Sequence, residues 1–127
     1  MMRRTLPLLA VLLATVLVGA HAAPDHAEHL RLERSAPATD TTVSTPAEIR
    51  LWFSQATQED ATSIRLVDGD GELVELGDVT PAEGRTVHFA SVSGPLAAGS
   101  YTVAWRTMAA DGHVVRGDFS FAVTSTR

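Results

Sequence analysis

Cysteine is absent from the 127 residues, and all ten basic residues are arginine. Without cysteine no disulfide can staple a small domain. No thiolate is available for a blue-copper electron-transfer centre or a soft Cu(I) site either. Methionine, the other soft donor, is confined to Met1, Met2 and Met108. Apolar runs are scarce as well. Past Leu6–Val18 none is long enough to cross a membrane, and no sustained 3.6-residue apolar period appears, which speaks against a helical bundle.

What is present at the front is an export signal. Arg3 and Arg4 precede an almost unbroken apolar stretch from Leu6 to Val18, followed by the small residues Gly19, Ala20, Ala22 and Ala23. The pattern predicts a signal peptide over residues 1–22, removed after Ala20 or after Ala22. The first cut would make His21 the new amino terminus, the second Ala23. The mature chain is then expected to carry no transmembrane segment, which excludes a fused permease. About a hundred residues remain, enough for one domain with a single core. Loss of Arg3 and Arg4 leaves eight basic against 15 acidic residues, a net charge of −7. That balance argues against nucleic acid and anionic membrane as partners and suits attraction of cations. The mature protein is expected to be monomeric.

Alternation dominates the rest. Residues 23–29 form a short polar, histidine-containing lead-in, and the domain proper is predicted over residues 30–124. Leu30 and Leu32 alternate with Arg31 and Glu33; Ile49, Leu51 and Phe53 alternate with Arg50, Trp52 and Ser54. Trp52 is assigned to packing. Ser63–Val67 and Glu72–Leu76 flank Asp68-Gly69-Asp70-Gly71, a hairpin signal whose aspartates lack the spacing of a calcium loop. Pro37–Pro46 and residues 77–85 read as loops. In the strand Thr86–Val92, Val87 and Phe89 are expected inward and His88 at the surface. Pro95 to Tyr101 looks like a tyrosine corner, the hydroxyl tying back to nearby backbone. About seven short strands separated by regular turns predict an all-β, Greek-key sandwich or barrel of Ig-like or cupredoxin-like type.

Two further runs, with Tyr101, Val103 and Trp105 on one parity and Phe119, Phe121 and Val123 on another, enclose Asp111-Gly112-His113. Residues i and i+2 of an extended chain project to one side. Asp111 and His113 would thus share a side, and a carboxylate beside an imidazole is half of a metal site. Asp-Gly is also a common turn dipeptide, and a histidine next to it is often merely solvated. His21, His26 and His29 fall within nine residues of one another, in a chain with five histidines.

The sequence resembles the CopC family of periplasmic copper-resistance proteins. The resemblance lies in Gly99-Ser100-Tyr101-Thr102-Val103, Trp105-Arg106, Asp111-Gly112-His113 and Gly117 with Phe119-Ser120-Phe121. Upstream it extends to Ser35-Ala36-Pro37-Ala38 and Leu51-Trp52-Phe53-Ser54. It implies a small Greek-key β-sandwich or barrel that binds Cu(II) through an amino-terminal histidine and the Asp and His of the hairpin loop. The last two roles transfer to Asp111 and His113. Counting back from Ser35-Ala36-Pro37, the family's first position falls on His29, where a signal peptidase would not leave a free amine. His29 would then bind through its ring alone, with His26, or a mature His21 folded back, at the fourth position.

The expectation is therefore an exported protein that binds one Cu(II) and carries or sequesters it for copper resistance. A membrane copper permease is the partner that the resemblance implies. Imidazole with carboxylate suits Cu(II), which heads the affinity order for such donors. Two rivals stand beside this reading. One is a metal-free Ig-like interaction module that kept the fold and lost the site. The other is a histidine-brace copper oxygenase, for which the chain is short and without a substrate platform.

Overall fold

The structure, a computed structural model, describes residues 29–125. Among these, nine strands and no helix form. They are β1 (Leu32–Ala36), β2 (Thr42–Val43), β3 (Glu48–Phe53), β4 (Ser63–Val67), β5 (Leu73–Val74), β6 (Thr80–Ala82), β7 (Val87–Ser91), β8 (Gly99–Met108) and β9 (Val114–Val123). One sheet has the order β1-β3-β7-β6 and the other β2-β9-β8-β4-β5. The expected sandwich is present. The count exceeds the anticipated seven because β2 and β6, each three residues or shorter, lie inside stretches that read as loops. Both are edge strands, held by a neighbour rather than by local alternation: β2 runs parallel to the end of β9, and β6 runs antiparallel to β7.

The core lies between the sheets. β3 contributes Ile49, Leu51 and Phe53, and β4 contributes Ile64 and Leu66. β8 adds Tyr101, Val103 and Trp105, β9 adds Phe119, Phe121 and Val123, and Leu30 closes one end. Each set has the period of two that an extended chain with one covered face requires. The tyrosine corner is formed, Tyr101 Oη donating to the Ala97 carbonyl at 2.6 Å. Gly117 faces Trp105 across the β8–β9 ladder, and a Cβ there would lie 2.7 Å from the indole Cζ2. The indole takes the space that a side chain would need, and packs edge-on against Phe53 at 5.3 Å.

One parity is reversed from expectation. His88 is buried at 4% exposure, whereas Phe89 lies on the outer face. Register explains it: Leu51 pairs with His88 and Ile49 with Ala90, so His88 shares the inward face. Phe89 pairs with Arg50, whose guanidinium covers its ring at 4.5 Å. Arg34 similarly lies over Trp52 at 4.4 Å, so Trp52 packs on the outside of the sheet under arginine side chains.

Candidate metal centre

β8 and β9 pair continuously from Gly99↔Val123 to Met108↔Val114, forming a long hairpin with residues 109–113 at its tip. The tip closes through the Ala109 N–H, which donates to the His113 carbonyl at 2.8 Å, and through the Gly112 N–H, which donates to the Ala109 carbonyl at 2.9 Å. Gly112 adopts φ +91°, a left-handed conformation that side chains rarely take, which is why Gly stands between the two candidate ligands. Asp111 then turns back on the loop. Its Oδ1 accepts the His113 N–H at 3.0 Å, and its Oδ2 lies 2.8 Å from His113 Nδ1.

The loop base is held from across the sandwich. Thr57 forms an isolated bridge with Ala109, and Gln58 N–H donates to the Met108 carbonyl at 2.9 Å. Gln58 Nε2 also donates to the Ala109 carbonyl at 3.1 Å. Sequence reasoning did not find this support, because Gln58 sits in a polar connection and nothing local marks a partner 51 residues away. Behind it, His88 Nε2 lies 2.9 Å from Thr57 Oγ1 and 3.2 Å from the Arg85 carbonyl. Burial pushes the His88 pKa below the ordinary 6.5, so the ring is neutral at neutral pH. It serves as an internal hydrogen-bonding group, not a surface one.

Asp111 and His113 are both exposed, their side chains at 58% and 76%. The backbone N–H of His113 and then its ring hold the Asp111 carboxyl below the usual carboxylate range, keeping it ionised. A carboxylate oxygen and a ring nitrogen held 2.8 Å apart on an exposed tip are donor types that would suit Cu(II), Ni(II) or Zn(II).

His29 enters at the same end of the sandwich. It is exposed and directly precedes buried Leu30. Next to that, the Arg31 N–H donates to Ser54 Oγ at 3.0 Å and the Ser54 N–H to the Arg31 carbonyl at 2.9 Å. Three residues beyond Ser54, Thr57 meets the base of the hairpin tip. Asp111 and His113 are thus brought together, and His29 starts the described chain at their pole. Among the described residues no group of three or more His, Cys, Asp or Glu side chains is assembled. His21 and His26 lie outside the described residues.

Residues 32–124 match a family model described as the CopC domain. Copper resistance protein C of Escherichia coli is 27% identical over 102 residues, covering 75% of this chain and 81% of that protein. Solved structures are similar over about three quarters of this chain. The methionine-rich copper resistance protein PcoC of Escherichia coli superposes with a TM-score of 0.68 at 28% identity, over 76% of this chain and 99% of that one. CopC of Methylosinus trichosporium OB3b gives a TM-score of 0.66 at 29% identity, over 75% and 93%.

Proposed function

The chain belongs to the CopC domain family, and from that premise we propose that it is an exported protein binding a single Cu(II) ion at the β8–β9 hairpin tip. In this reading Asp111 supplies a carboxylate oxygen and His113 and His29 supply ring nitrogens. His26 or His21 fills the fourth position. The observation that carries it is the pairing of Asp111 Oδ2 with His113 Nδ1 at 2.8 Å on an exposed tip, both donors free of any structural duty in the core. Export rests on the predicted signal peptide, and the periplasm, or the cell surface in an organism without an outer membrane, is the compartment it implies.

Cu(II) is favoured over Cu(I) by what the chain contains. Unlike the relative described as methionine-rich, it has only Met108 beyond the predicted leader, and no cysteine. Copper is cargo here. The hairpin holds the ion and releases it, either to a membrane permease or into storage, and the protein is not an enzyme. Protons compete with copper for imidazole, so occupancy falls below about pH 6. Cu(II) titration of the exported protein should show one equivalent bound tightly, lost in an Asp111→Ala, His113→Ala double variant. Unchanged affinity in that variant would refute the assignment. Mass spectrometry of the same material reads the mature amino terminus and the stoichiometry together, and zero bound copper would leave a metal-free interaction module.

A further inference from the structure

The outer face of the five-stranded sheet gathers three arginines. Arg106 on β8 stands directly opposite Arg116 on β9. Arg65 on β4 pairs with Ala104, two positions along β8 from Arg106 and so diagonal to it. All three are exposed, and with Ser63, Ala104 and Asp118 they line an open groove of about 430 Å3.

Other described arginines have partners. Arg31 pairs with Glu33 at 3.2 Å and Arg50 with Glu48 at 2.9 Å. Arg34 lies over Trp52 at 4.4 Å, and Arg85 Nε donates to the Thr57 carbonyl at 2.9 Å. Among the described residues Arg65, Arg106 and Arg116 have neither an ion pair nor a side-chain hydrogen bond, although Asp118 sits on the same face. Like charges directly opposite on a sheet destabilise it. Protection of an open edge could account for Arg116 on β9 and Arg65 on β4, since the two-residue strands β2 and β5 do not reach them. It does not account for Arg106, which β8 presents between paired neighbours on both sides.

We propose that this face docks a carboxylate-rich segment of a protein partner. The guanidinium fork matches a carboxylate in bidentate fashion, and a row of three across adjacent strands fits an extended acidic segment. Charge complementarity selects that occupant over a lipid surface. The chain as a whole is acidic, at −5, so a broad anionic plane would be repelled by its other faces, whereas a narrow segment meets only the groove. Arg106 and Arg116 stand on the two strands that lead to Asp111 and His113, so a partner seated there lies beside the hairpin tip. That the partner is the copper acceptor rests on the function proposed above; the docking surface itself does not.

The test is an NMR titration of the exported protein with a short polyglutamate peptide at low salt, with phosphatidylglycerol vesicles as the second probe. Amide shifts should move on β4, β8 and β9, and added salt should weaken the binding. An Arg106→Gln, Arg116→Gln variant should lose roughly tenfold or more in affinity and melt no lower than the parent, since a repulsion has been removed. An Arg34→Gln variant on the other sheet should bind like the parent. Equal affinity in the first variant, shifts on the other sheet, or capture by vesicles without peptide binding would each overturn the proposal. Cu(II) titration of the same sample separates the two readings. Peptide binding without copper binding removes only the carrier role, and copper at the tip without peptide binding removes only the docking surface.

Discussion

Replacing Gly117 with alanine should destabilise the domain, even though alanine is ordinarily the better residue in a strand. A Cβ at this position would meet the Trp105 indole at 2.7, 3.0 and 3.2 Å from Cζ2, Cε2 and Nε1. The ring has little room to retreat. It is 8% exposed and packs edge-on against Phe53 with centroids 5.3 Å apart. Phe53 in turn contacts the His88 ring at 5.8 Å, so a shift of the indole is passed into the polar group behind the hairpin base. Overpacking of this kind costs about 1–3 kcal/mol. Relief of backbone entropy on replacing Gly with Ala offsets roughly 0.5–1 kcal/mol of that. The net loss centres on about 1 kcal/mol, which in a domain of this size lowers Tm by roughly 4–8 °C. Thermal unfolding followed by circular dichroism measures it, and the emission maximum in a Trp52→Phe background reports whether Trp105 has moved toward solvent. A G117A variant as stable as the parent, with unchanged emission, would show that the indole does not occupy that space.

Other outcomes follow from single contacts. Tyr101→Phe removes the 2.6 Å bond to the Ala97 carbonyl and should cost about 0.5–1.5 kcal/mol in urea unfolding, with no change in copper binding. Gln58→Ala frees the hairpin base from its side-chain tie to the Ala109 carbonyl; Cu(II) affinity should fall severalfold while Tm moves little, as calorimetric titration would record. Because burial lowers the folded pKa of His88 below 6.5, the unfolded chain binds more protons in that window. This contribution to stability is complete above about pH 6.5 and is lost as pH falls toward the folded value. Urea midpoints taken between pH 7.5 and 5 should decline accordingly, and a His88→Gln variant should flatten that decline.

Alternation carried most of the fold. Tyr101, Val103 and Trp105 on β8 and Phe119, Phe121 and Val123 on β9 are all buried as their parity demands, while Arg106 and Ser120 face out. The Asp68-Gly69-Asp70-Gly71 turn is also in place, with Asp68 Oδ1 accepting the N–H groups of Asp70 and Glu72 at 2.9 and 3.0 Å. His88 was misread because Val87 and Phe89 carry more apolar surface than His88 and Ala90, and the pattern cannot see that Arg50 covers Phe89 from outside. Strands as short as β2 and β6 have too few residues for a period to show, and depend on their neighbours in space. Asp111 and His113 do lie together, but through the left-handed turn at Gly112 and the hydrogen bonds that close it rather than through the extended alternation from which their shared side was read. The support from Thr57 and Gln58 was not legible, since it joins segments far apart in the chain.

Paramagnetic broadening by substoichiometric Cu(II) in an amide NMR spectrum tests most directly the proposed copper site at the hairpin tip with a histidine from the front of the mature chain. Signals from residues 109–114 and from His29 and Leu30 should vanish first, while those of β2 and β5 persist. Loss of signals around His88 instead, or uniform loss across both sheets with the tip spared, would contradict the account.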